Sequence, residues 1–320
     1  MPFSDIIGQE TPVSVLRRSL ATGKIAHAYI FDGIEGCGKM KTAMAFITAI
    51  FCNGTEGCGH CSVCRRLAAC QHPDLHMVEP DGAFIKIDQI RNLQKELSYR
   101  PYEAKKKVCI IEAADKMNLS SANAFLKTLE EPPGDALLIL LTSSLGSILP
   151  TILSRCQRLS FSSIPEAAIE AYLCGTGIPE ETARIAASLA GGSLKSALEI
   201  TLEQTVPNRK NLLERTIALS LSEIAPLFEL AEEQGNDRDK TLELLDILTV
   251  FWRDVLLLLS GSPQVANKDL LPLLRKEADR TSLEKVMERI ELVFRSRQAL
   301  QRNVNPRLAL EVLFMGLARS

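Results

Sequence analysis

No stretch of the 320-residue sequence strings together the roughly 18 apolar residues that a membrane helix needs. A run such as Val255–Leu259 is far too short, so no membrane role is expected. Residues 1–8 lack both a basic start and an apolar stretch, which predicts no signal peptide and a cytoplasmic protein. Excess charge is missing too, because 37 Lys and Arg against 39 Asp and Glu leave a net −2. That balance argues against a surface that clamps nucleic acid all round and leaves room for a local basic strip. Internal repeats and low-complexity tracts are absent. What remains, 46% hydrophobic and 24% charged residues, is the composition of an ordinary folded chain. Its length predicts two or three domains.

One further absence is local. "GIEGCGKM", residues 33 to 40, follows the phosphate-loop pattern G-x-x-x-x-G-K through Gly33, Gly38 and Lys39, but Met40 stands where the pattern has Ser or Thr. The missing hydroxyl is the one that would hold Mg²⁺. The context is otherwise right. "HAYIFDG" (His27–Gly33) reads as a buried strand ending in glycine, and Lys39–Phe51 as a helix, so backbone N–H groups at the helix start would face a phosphate.

Further strands are predicted at Leu75–Pro80, Lys107–Ala113, Ala136–Ser143 and Cys156–Phe161, with helices at Asp88–Tyr99 and Ser120–Glu131, the latter stopped by Pro132-Pro133. Strands alternating with helices predict an α/β fold with a parallel sheet covered on both faces. After Phe161 the strand pattern stops. Helices are expected at Pro165–Leu173, Pro179–Leu189 and Leu194–Leu202, then a linker at Gln204–Lys210, where Pro207 and Asn208 break the periodicity. Leucines at helical spacing run from about Asn211 to the end.

Nine cysteines without a secretory signal are read as metal ligands or free thiols rather than disulfides. Cys52, Cys58, Cys61 and Cys64 form a C-x5-C-x2-C-x2-C array. Tetrahedral Zn²⁺ takes four thiolates, and two-residue gaps let a turn present paired sulfurs. Four thiolates leave no open coordination position, so the expected zinc is structural. Cys70 is a looser rival ligand, and His60, between two ligands, is expected to point outward. Cys37, Cys109, Cys156 and Cys174 are scattered and read as packing residues or spare thiols.

The segments "HAYIFDGIEGCGK", the four-Cys insert, "HPDLHMVEP", "NAFLKTLEEPP", "LTSSLGSILPTILSRC" and "GGSLKSALE" occur in the order seen in bacterial clamp-loader subunits of the AAA+ class. The likeness continues into "FWRDVLLL" and "NVNPRLALE", so the resemblance covers nearly the whole chain. It implies a RecA-like AAA+ P-loop domain (1–163, with the zinc insert at about 52–64), a small helical lid (164–206) and a C-terminal all-helical collar (207–320) for assembly. It also implies a place in the DNA polymerase III holoenzyme, in a hetero-oligomeric ring with gamma/tau and delta subunits that acts on a sliding clamp and primed DNA.

Hydrolysis in this class needs a loop hydroxyl, an Asp for the metal and a carboxylate for the attacking water. Here position 40 is Met, the acidic pair at the end of the third strand reads Glu112-Ala113, and Asp115 would need a different reach. Lys195 matches the lid's nucleotide-sensing Arg but lacks its planar fork. These departures imply a subunit that keeps the fold without turnover, with nucleotide binding by Gly33, Gly38 and Lys39 weak or lost. The competing expectation is an active ATPase motor of the gamma/tau type. Arg155, in "SRC", matches the residue that reaches a neighbour's γ-phosphate. A weaker reading takes the cysteine insert with "YRPYEAKKK" (Tyr99–Lys107) as a nucleic-acid binder.

Overall fold

The computed structural model describes residues 2–52, 56–202, 205–262 and 264–319. The chain divides into two compact units. The first is Met1–Ala168 with Gly192–Ser196, and the second is Ile169–Gly191 with Ala197–Ser320.

Helices and strands alternate through the first unit: α1 (Glu10–Thr22), β1 (Ala28–Asp32), α2 (Lys39–Phe51), α3 (Ser62–Ala68), β2 (Leu75–Val78), α4 (Ile87–Ser98), β3 (Val108–Ile111), α5 (Leu119–Glu130), β4 (Leu137–Thr142), α6 (Pro150–Leu153) and β5 (Gln157–Ser160). The described strands form one sheet in the order β2-β3-β4-β1-β5, with every pair parallel. Side chains alternate across a strand, and the alternation sorts the core into two layers. Tyr29, Phe31, Val108, Ile110, Leu137, Ile139 and Leu141 face α1 and α2. Ile30, Cys109, Ile111, Leu138 and Leu140 face α4, α5 and α6. Burial on both faces explains why these strands read as continuous apolar runs. The order brings the carboxyl end of β1, where the glycine loop begins, between those of β4 and β5.

The remaining helices are α7 (Glu166–Gly175), α8 (Glu180–Leu189), α9 (Leu194–Leu202), α10 (Thr205–Ile217), α11 (Ala225–Gly235), α12 (Arg238–Leu259), α13 (Leu271–Ala278), α14 (Leu283–Gln301) and α15 (Pro306–Arg319). In the second unit Leu244, Leu248, Phe251, Trp252 and Val255 of α12 pack with Val286, Val293 and Leu300 of α14 and Leu310, Leu313 and Phe314 of α15.

The expected linker at 204–210 is corrected. Gln204 lies outside the described residues, and Thr205 onward is the start of α10. Pro207 is the third residue of that helix, where the N–H has no intrahelical acceptor in any case. Pro12, third in α1, hides that helix from a sequence reading in the same way.

Candidate functional site

The glycine loop leaves β1 at Gly33 and enters α2 at Lys39. Gly36 and Gly38 have φ of 77° and 102°, a region that glycine enters without steric cost. At Gly36 a side chain is excluded twice over, since a Cβ there would lie 2.1 Å from Ser193 Oγ. The Gly192–Ser196 segment therefore lies directly on the loop. Leu194 N–H donates to Gly36 O at 3.1 Å, and Lys195 Nζ meets Glu35 Oε1 at 2.6 Å. That hydrogen bond from Lys195 is the main reason the Glu35 carboxyl titrates below its usual range. Lys39 donates to the loop's own carbonyls, Gly33 O and, at 2.7 Å, Ile34 O. The loop's charged and polar groups are thus largely satisfied within the unit.

The positions at which the sequence departs from the loop pattern have surroundings of their own. Met40 packs against the apolar layer formed by α1, α2 and the sheet. Ala113 follows β3 in the left-handed region, φ 48° and ψ 52°, and carries no carboxylate. Asp115 Oδ1 accepts from Thr142 Oγ1 at 2.8 Å and from Ser143 N–H at 3.1 Å. It ties the end of β3 to the end of β4. Glu112 keeps a carboxyl near the loop. Burial is the first cause of its raised pKa, followed by the negative charges of Glu79 and Glu35, with Lys195 and Lys39 opposing.

Arg155 follows α6, on the approach to β5. Its Nη2 donates to Glu130 Oε1 at 2.8 Å, while Nη1 donates to Thr151 O at 2.9 Å and Ser154 Oγ at 3.3 Å. The side chain is 37% exposed. Glu130, within "LEEPP", was not singled out from the sequence. Its partner lies 25 residues away, and no local periodicity joins the two.

The four expected thiols come together. The Sγ atoms of Cys52, Cys58, Cys61 and Cys64 all lie within 4.8 Å of one another. Cys52–Cys61 is 4.0 Å and Cys58–Cys64 is 3.9 Å. A tetrahedral zinc with bonds of about 2.3 Å places its sulfurs about 3.8 Å apart, so the cluster fits the ion with little adjustment. Backbone N–H groups point at two of the sulfurs, Cys61 N–H on Cys58 Sγ at 3.3 Å and Cys64 N–H on Cys61 Sγ at 3.4 Å. Such donors, first from His60 and then from Cys61, bring the Cys58 thiol down to about 6. His60 Nδ1 lies 2.7 Å from Cys58 O, and neither His60 nor Cys70 belongs to the sulfur cluster. Among the other thiols Cys37 and Cys109 are buried, Cys156 is half-buried, and Cys70 and Cys174 are exposed.

The insert is wired to the sheet. On α3, Arg66 meets Glu103 at 2.7 Å, and Glu103 meets buried His72 at 3.2 Å. Fully buried Asp74 accepts from the N–H groups of Tyr102, Glu103 and Ala104. The run Tyr99–Lys107 is therefore an anchored loop. Lys107 is buried on Glu96 O, and Lys106 pairs with Asp135, which leaves a smaller free basic surface than the sequence suggested.

Family comparisons agree across the chain. The model described as DNA polymerase III, delta subunit, matches residues 8–165, and that described as DNA polymerase III, delta subunit, C terminal, matches residues 203–318. DNA polymerase III subunit delta' of Bacillus subtilis is 31% identical over 97% of this chain and 96% of its own length. Subunit delta' of Pseudomonas aeruginosa is 35% identical over 61% of this chain and 64% of its own length. DNA polymerase III subunit tau of Bacillus subtilis is 27% identical over 99% of this chain and 62% of its own length. With its parallel α/β unit and helical C-terminal part matched in turn, the chain belongs to the delta' subunit family of DNA polymerase III, within the clamp-loader proteins.

Proposed function

We propose that this chain is a non-hydrolysing member of a clamp loader, joined with gamma/tau and delta subunits in a hetero-oligomeric ring. In that ring it supports ATP-dependent loading of the sliding clamp on primed DNA and donates Arg155 in trans. The 1–163, 164–206 and 207–320 regions then serve as ATPase-like domain, lid and collar. Cys52, Cys58, Cys61 and Cys64 hold a structural zinc whose chemistry is to fix the insert. One observation carries the reading. At the loop, half-buried Met40 packs against the core, Ala113 offers no carboxylate and Asp115 is engaged by Thr142 and Ser143, whereas the Arg155 guanidinium sits at the surface in an exposed pair.

An Arg supplied in trans lowers the barrier to phosphoryl transfer by stabilising charge on the transferring group, with about 10³ to 10⁵ in rate at the site it serves. Arg155→Ala is expected to leave folding and assembly intact and to lower the ATPase rate of the reconstituted complex with clamp and primed DNA present. The loss is diluted, because other sites in the ring keep their own arginines. Arg155→Lys should rescue poorly, since an ammonium cannot match the planar fork. Equal rates for wild type and Arg155→Ala would reduce Arg155 to a surface residue.

The likeness to a tau subunit over nearly the whole chain favours a second reading, an active ATPase motor with weak nucleotide binding turned to use. Steady ATP turnover by the isolated chain at low protein concentration would select it.

A further inference from the structure

The last turn of α5 is a poor place for acidic residues, because the helix dipole is negative there. Yet α5 ends on Glu130, with Glu131 as its C-cap and Pro132-Pro133 preventing continuation. The helix stop fixes where the Glu130 carboxylate stands. That carboxylate meets Arg155 Nη2 at 2.8 Å, and the opposite arm of the guanidinium, Nη1, is held by Thr151 O at 2.9 Å and Ser154 Oγ at 3.3 Å. Two arms held from two different elements, α5 and α6, favour one plane of the guanidinium as well as its position. A single contact would fix only position.

We propose that Glu130 is a positioning residue for Arg155. By gripping one arm from the end of α5, it sets the orientation in which the guanidinium faces a phosphate held by the neighbouring subunit. This inference rests on the reading of Arg155 as a trans-acting arginine. Long flexible side chains lose rotamer freedom when they are used, and an arm already held loses less per contact formed. The grip remains light. Glu130 is 51% and Arg155 37% exposed, and exposed pairs of this kind are weak, so the guanidinium can shift toward phosphate oxygens without a large penalty.

The test uses the reconstituted complex with clamp and primed DNA. Steady-state ATP hydrolysis is measured for wild type, Glu130→Ala, Glu130→Gln, Arg155→Ala and the double variant Glu130→Ala/Arg155→Ala, each checked for normal assembly by size exclusion. Glu130→Ala should lower kcat by up to about fivefold, the range that the coupling of an exposed pair allows, with KM unchanged, because orientation of a transition-state contact is lost and ground-state binding is not. Glu130→Gln keeps an acceptor oxygen and should recover much of the rate. The double variant should be no slower than Arg155→Ala alone. If Arg155→Ala slows the complex and Glu130→Ala does not, the positioning role is overturned and the role of Arg155 stands. An additive double variant would place the effect of Glu130 elsewhere, and a faster Glu130→Ala would make it a restraint. If Arg155→Ala changes nothing, both readings fall together.

Discussion

Lys39 and Met40 are neighbours at the start of α2 but meet different surroundings. The Lys39 ammonium bonds to Gly33 O and Ile34 O, while Met40 turns into the apolar layer beneath the helix. Restoring a hydroxyl at position 40 therefore removes packing as well as adding a metal ligand. Met40→Thr should lower the melting temperature by a few degrees, since shortening a half-buried Met side chain forfeits about 1 kcal/mol of apolar contact. Affinity for Mg-nucleotide should rise by no more than about tenfold, or 1.4 kcal/mol, as isothermal titration would show. Hydrolysis should stay at background, because Ala113 still supplies no carboxylate and Asp115 Oδ1 is occupied by Thr142 and Ser143. Rapid turnover from this one change would show that another group orients the attacking water. At this scale the sequence disclosed residues whose identity departs from a pattern, such as Met40 and Ala113. It could not disclose Glu130 or the use of Asp115, whose partners are 25 and 27 residues away and come close only through the packing of α5 with α6 and the pairing of β3 with β4.

Among the elements, the strands were the most legible. Each central strand is buried on both faces, so its apolar run is continuous and ends at a turn signal. The start of α2 at Lys39 was equally clear, because Gly38, in a left-handed conformation, is its N-cap. Of the helices with proline in their first turn, α1 and α10 were not legible, whereas α11, α13 and α15 lie where leucines recur at helical spacing. The gathering of Cys52, Cys58, Cys61 and Cys64 was legible, since their spacing alone suggests a cluster that could hold a metal. The insert's connection to the sheet through Arg66, Glu103, His72 and Asp74 was not. That connection shapes an expected outcome for the metal. Protein purified under reducing conditions should carry one zinc per chain, measured by elemental analysis. Cys61 is both a proposed ligand and the N-cap of α3, accepting from Cys64 N–H. Cys61→Ser should therefore release the ion and let amides in α3 and the insert exchange faster with solvent. Amides of β1, β3 and β4 should keep their protection, because their core layers draw nothing from the four sulfurs. Retention of zinc after Cys61→Ser, or its release by Cys70→Ser, would change the ligand set.

For the molecule as a whole, the C-terminal helices carry more apolar surface than their own core uses. On α15, Leu310, Leu313, Phe314 and Leu317 point inward, while Leu308, Val312 and Met315 are 53%, 55% and 39% exposed. The exposed three fall at i, i+4 and i+7, one stripe along the helix. On α14, Leu283, Met287 and Phe294 form a similar stripe, 46%, 56% and 50% exposed. Single exposed apolar residues need no explanation, but two aligned stripes on helices of the proposed collar fit the contact surfaces an assembling subunit requires. A double change, Val312→Glu with Met315→Glu, tests this without touching the core. Both positions already face solvent, so the melting temperature of the isolated chain should move by only a few degrees. Burying two carboxylates in an apolar contact is costly, so co-purification with gamma/tau and delta subunits should be lost or sharply reduced. The pair Leu310→Glu with Leu313→Glu is the contrast, since it places the same charge in the core and should unfold the second unit. Normal assembly of the Val312→Glu, Met315→Glu chain would move the contacts away from α15, and loss of folding would show that the stripe packs within this chain after all.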